Sequence, residues 1–226
     1  MKSAANSHAI LGRMPRSEPS AGRDVLEIVV GYGIIMLAIW MPEYPQRILS
    51  AIALLLTLAV VLIRRPGVEE LGLGRGGLRA SFWILPVALV LAVGSVLVAK
   101  EIGTLHPLFK GDTRHIAGYI LWTLYQQFLL NDYFMPRLVR VLGGKSAALG
   151  VSALLFGAAH LPNLWLTIAT VVWGAVSCAL FLRYRNLYAL GLAQGLLGLC
   201  FAVCIPDALH HHLRVGLGYL RYHAMQ

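Results

Sequence analysis

Long stretches without charge constrain this chain more than any other feature. No Asp, Glu, Lys or Arg interrupts Ile48 to Ile63, Ser81 to Ala99, Leu164 to Leu182 or Leu187 to Ile205. A helix crossing the hydrocarbon core of a bilayer needs about 20 predominantly apolar residues. Only 13% of the 226 residues are charged, about half the share of a water-soluble domain. The expected fold is therefore all-α, a polytopic membrane protein. The net charge of +9 would suggest nucleic acid in a soluble protein. Here the basic residues fall between the apolar runs, where topology requires them, so no nucleic-acid partner is expected.

Seven spans are predicted: Val25 to Met41, Ile48 to Ile63, Ser81 to Ala99, Ile116 to Met135, Ala147 to His160, Leu164 to Leu182, and Leu187 to Ile205. The fifth is the shortest, and Pro162 breaks the chain just after it. Spans five and six then form a tight hairpin around Leu161-Pro162-Asn163. Leu213 to Tyr222 could add an eighth, amphipathic helix. Residues 1–24, polar and rich in Ser, Ala, Pro and Arg, read as a disordered cytoplasmic tail, and their apolar patch Ala9-Ile10-Leu11 is too short for the core of a signal peptide. Residues 25–205 form the helical transmembrane domain and residues 206–226 a C-terminal tail. With the N-terminus cytoplasmic, 13 lysines and arginines lie inside and 6 outside, the bias that positive-inside sorting produces. The expected location is the bacterial cytoplasmic (inner) membrane.

A polar side chain within a bilayer helix is costly unless it meets a partner or water, so it is a functional candidate. Span four carries Gln126, Gln127 and Asn131, with Gln127 and Asn131 four apart on one face. His160 closes span five, four residues after Phe156, and Gln194 sits deep in span seven. The competing reading of each amide is interhelical hydrogen bonding, worth about 0.6 to 2 kcal/mol per contact. Asp132, shortly before Arg137, reads as an interfacial residue or ion-pair partner. His210-His211-His212 reads as an exposed or interfacial cluster, since adjacent histidines on a helix point apart. Cys178, Cys200 and Cys204 read as small packing residues. Gly191 and Gly195, four apart, would let a neighbouring helix approach closely. The Gly-x-Gly pattern at Gly72 to Gly76 lacks the preceding strand and following Lys-Ser/Thr of a nucleotide loop.

In order and spacing these residues resemble the CPBP family, the CAAX-protease and bacteriocin-processing (Abi) intramembrane proteases. The resemblance covers Trp122 to Cys200 and implies a membrane-embedded proteolytic core at about residues 116–205. The family's Glu-Glu, followed four residues later by Arg, corresponds to Gln126-Gln127 with Asn131. Its Phe-x-x-x-His is intact as Phe156 to His160. Its His-x-x-x-Asn falls on Gln194 and Gly198, and neither residue is retained.

The resemblance implies a catalytic set of His160, Gln126, Gln127, Gln194 and Asn131, with Phe156 and Asn163 touching substrate. The family is thought to activate a water with a glutamate. Glutamine cannot ionise, which leaves His160 as the base and the amides as orienting or oxyanion-stabilising groups. One imidazole among neutral amides is a poor donor set for zinc, so neither a metal nor another cofactor is expected. The expected function is an intramembrane endopeptidase, weakened by these exchanges, acting on a membrane-embedded or lipidated protein in the lipid bilayer. The alternative is a catalytically silent relative that binds a membrane peptide or partner protein. A third reading, a small transporter lined by the same amides, has no resemblance behind it.

Overall fold

The computed structural model describes residues 20–107 and 113–222. The expected tail up to residue 19 and the links at 108–112 and 223–226 lie outside the described residues. Helix α1 spans Ala21–Ile39, α2 Glu43–Ile63, α3 Arg75–Ser81 and α4 Ile84–Glu101. Helix α5 spans Thr113–Phe128 and passes through a π-helical turn, Leu129–Phe134, into α6, Met135–Leu142. Helices α7, Lys145–Ala158, α8, Leu164–Tyr184, and α9, Leu187–Cys204, follow. A short α10, Asp207–His210, a 3-10 turn, His211–Leu213, and α11, Gly216–Tyr222, end the described chain.

Four helices, α2, α4, α8 and α9, are long and apolar enough to cross a membrane, and α7 is a shorter apolar helix. The other two predicted spans differ for local reasons. The first turns of α1 carry Arg23, Asp24 and Glu27, and α5 gives way to the π turn after 16 residues. The fold is an all-α membrane bundle in which α9 packs along both α4 and α5, α7 along α8, and α1 along α2.

Caps and close contacts explain where these elements start and meet. Asn163 caps α8 by accepting from the Leu166 N–H at 3.1 Å, and Asn186 caps α9 by accepting from Ala189 N–H at 2.7 Å. Each satisfies a donor that the first turn of a helix leaves unpaired. Gly191 and Gly195 face Leu124 and Ile120 of α5, the close approach that their spacing predicts. Gly31 does the same for α1 against Tyr133. A Cβ there would lie 2.6 Å from the Tyr133 hydroxyl oxygen and 2.7 Å from its ring. That ring is fully buried and has nowhere to move. Gly31→Ala is therefore expected to destabilise the fold by about 1–3 kcal/mol, read as a lower denaturation midpoint in detergent.

One end of the bundle is locked by charge. Asp24 accepts from Arg140 Nε at 2.6 Å and Nη2 at 2.8 Å, and from Arg64 Nη2 at 2.9 Å. Glu27 accepts from Arg64 at 2.6 Å, Arg137 at 2.7 Å and Arg23 at 2.9 Å. Asp132 does not join them, contrary to the sequence-based expectation. Its side chain is buried and its Oδ2 has no hydrogen-bond partner among the described residues. Arg137 reaches only its backbone carbonyl, at 3.4 Å. The guanidinium is taken instead by Glu27 of α1, 2.7 Å from its Nε.

The other end is closed by the segment after α9. His211, His212 and Leu213 all adopt left-handed φ values, 47°, 54° and 58°, each costing about 1–2 kcal/mol for a residue with a Cβ. This turn folds the chain back, which buries His210 and His211 where the sequence suggested an exposed or interfacial cluster; His212 stays half-exposed. Asn163 Nδ2 donates to the carbonyls of His210 at 2.8 Å and Arg214 at 3.1 Å, and Gly216 N–H donates to the Leu161 carbonyl at 2.8 Å. Burial pushes the Asp207 carboxyl up, but its hydrogen bonds from Tyr222 and the His212 N–H, with the charge of His212 and His210, hold it below the usual range.

Candidate functional site

Helices α1, α2, α5, α7, α8 and α9 surround a cavity of about 480 Å³. Its wall is mostly aliphatic and aromatic, including Tyr32, Trp122, Phe156, Trp173 and Phe201, and no charged side chain lines it among the described residues. Gln126, His160 and Gln194 stand in that wall. Each comes from a different helix or helix end, so the cavity is where the three predicted polar elements meet.

The amides form one directional chain. Asn131 Nδ2 donates to Gln127 Oε1 at 2.8 Å, and Gln127 Nε2 donates to Gln194 Oε1 at 2.6 Å. Gln194 Nε2 then donates to Gln126 Oε1 at 2.5 Å. Gln126 Nε2 donates to none of the described residues and is the end the chain turns toward the cavity. At the opposite end, Asn131 Oδ1 is buried without a hydrogen-bond partner among the described residues. Gln127 and Asn131 do not line the cavity; they reach it only through Gln194 and Gln126. A run of donors all pointing one way polarises its members, so the terminal N–H is a stronger donor than an isolated amide.

His160, also in the cavity wall, is held by its own helix end. Its Nδ1 lies 2.7 Å from the Phe156 carbonyl, which can only accept, so Nδ1 carries the proton and Nε2 keeps the lone pair. Phe156 meets the imidazole edge-on, with centroids 5.1 Å apart. Asn163 departs from the expected substrate contact. It is fully buried, lies outside the cavity wall, and spends its side chain on the α8 cap and the two carbonyls named above.

Two participants escaped the sequence reading. Trp173 lines the cavity and donates from Nε1 to Gln194 Oε1 at 3.1 Å. Its position one helical period from Thr170 and Ser177 was the available signal, but an apolar helix carries tryptophan for many reasons. Leu213 and Val215 also line the cavity, which places the C-terminal fold-back in its wall. No group of three or more His, Cys, Asp or Glu that could hold a metal occurs among the described residues.

Residues 113–200, from the start of α5 to near the end of α9, match the family model described as type II CAAX prenyl endopeptidase Rce1-like. That stretch of the chain is similar to the CAAX prenyl endopeptidases. The Rce1-like stretch thus contains every member of the amide chain, His160 and Trp173, whereas α1, α2 and the C-terminal fold-back complete the cavity from outside it. No curated protein and no solved structure matches the chain significantly.

Proposed function

We propose that the chain is an intramembrane endopeptidase of the CAAX type whose base is His160 and whose oxyanion donor is Gln126. The observation that carries this reading is the pairing, in one apolar cavity, of an imidazole lone pair with the free end of a polarised amide chain. His160 Nε2 takes a proton from a water, and the water oxygen bonds to the peptide carbonyl carbon. The carbonyl oxygen, now negative, accepts from Gln126 Nε2. When the tetrahedral species collapses, the C–N bond breaks and the imidazolium returns its proton to the leaving nitrogen. Gln127, Asn131 and Gln194 hold the donor in place, and Phe156 contacts the peptide and orients the imidazole. The substrate is a membrane-embedded or lipidated protein segment reached within the bilayer, and the enzyme sits in a bacterial cytoplasmic membrane with its N-terminus inside.

The wall also favours an uncharged occupant. A carboxylate placed against it would lose its water and gain no cation, a penalty of several kcal/mol. An apolar peptide that ends in a carboxamide is therefore expected to bind at least about tenfold more tightly than the same peptide as a free acid, when its terminus occupies the cavity. Titration of fluorescent peptides against protein in liposomes measures this. Equal affinities would mean that a basic group reaches the cavity.

A second reading has an observation of its own: the glutamines satisfy one another and no carboxylate lines the cavity, as a binding protein without activity would require. Reconstituted protein and a quenched apolar peptide separate the two. Cleavage, with products identified by mass, supports the endopeptidase; tight binding without product supports the silent binder.

A further inference from the structure

An amide's oxygen and nitrogen ends have nearly the same shape, so a chain built only of Asn and Gln can run in either direction at equal cost. Reversed, Gln127 would donate to Asn131, and Gln194 would donate to Gln127. Gln126 would then donate to Gln194 and turn its oxygen, not its nitrogen, into the cavity. Every internal bond would survive. Something outside the four amides must choose between the two states.

We infer that Trp173 makes that choice and is a positioning residue for the site. An indole N–H is a donor only, so the atom 3.1 Å from Trp173 Nε1 must be the Gln194 oxygen. With that oxygen fixed, Gln194 presents its nitrogen to Gln126, and Gln126 must accept there and expose its own N–H₂. The same oxygen takes the bond from Gln127, whose oxygen then takes the bond from Asn131. One group that cannot reverse therefore sets four that can. The cavity that His160 also lines acquires a hydrogen-bond donor, suited to the C=O of an uncharged peptide group.

The use of that donor for an oxyanion rests on the endopeptidase reading, but the polarity does not, and the experiment reads polarity. Protein in nanodiscs with ¹⁵N-labelled glutamine side chains reports Gln126, Gln127 and Gln194, assigned by single substitution. Wild-type protein is expected to give one set of signals, with Gln126 N–H₂ exchanging with water. Trp173→Phe is expected to add a second set in which Gln126 exchange slows at least tenfold, because its nitrogen now bonds Gln194. A benzothienyl side chain at position 173 keeps the indole shape and lacks only the N–H; it should behave like Phe. If the benzothienyl protein gives the wild-type spectrum, Trp173 merely fills space and the assignment fails. It fails equally if neither substitution adds a second state. Should the protein cleave peptide, both substitutions are expected to lower kcat about tenfold or more with little change in KM, since the donor acts on the transition state.

Discussion

Arg137→Ala is expected to cost about 3–5 kcal/mol of stability, the range for removing one partner from a buried ion pair. Arg137 is 1% exposed and is among the largest fully buried side chains. Its Nε donates to Glu27 at 2.7 Å, its Nη1 bonds the Tyr133 carbonyl, and its guanidinium lies 4.1 Å from the centre of the Tyr133 ring. Glu27 would keep Arg23 and Arg64, so its loss of charge compensation is partial. The larger penalties are the void left behind and the Tyr133 carbonyl stranded at the π turn. Arg137→Lys should recover only part of the loss, because an ammonium cannot reproduce the planar fork. Reversible unfolding in mixed detergent checks both. A cost for alanine below about 1 kcal/mol would mean that this charged end does not hold α1 against α6.

His160→Ala is the largest expected effect on activity: a fall of about 10²–10⁴ in the rate of peptide hydrolysis, the usual worth of a positioned base. Affinity for an amidated apolar peptide should change no more than about threefold, since the aromatic and aliphatic wall remains. His160→Gln separates chemistry from shape. It keeps a polar side chain of similar length but has no lone pair that can take and return a proton near neutral pH, so its rate should match that of alanine. The imidazole makes one backbone hydrogen bond and one edge contact with Phe156, so both proteins should remain folded. Initial rates and binding isotherms on the same preparations give the answer. Hydrolysis at wild-type rates in either variant would assign the base elsewhere.

The class of the fold was legible because membrane helices announce themselves by composition: α2, α4, α8 and α9 each follow from an uninterrupted apolar run. The meeting of three polar elements was legible because few polar residues lie within those runs, and Gln126, His160 and Gln194 share one cavity. Their direction was not. Residue types and spacing show which amides can meet, but only the partner of Gln194 fixes which atom of each faces the next. Asp132 was misjudged for another reason: its place shortly before Arg137 does not show that Glu27, 110 residues away on α1, takes the guanidinium. The buried histidines after α9 were hidden by three consecutive left-handed residues, none of them glycine, which no local preference would suggest.

That fold-back has a practical side. Because Leu213 and Val215 belong to the chamber beside His160, the size of the ligand this protein accepts and the integrity of its last described turns are a single variable. A bulky fusion or affinity tag attached beyond α11 would pull on the same few residues that seal the chamber. Assays of ligand preference are best made with any tag carried at the opposite terminus.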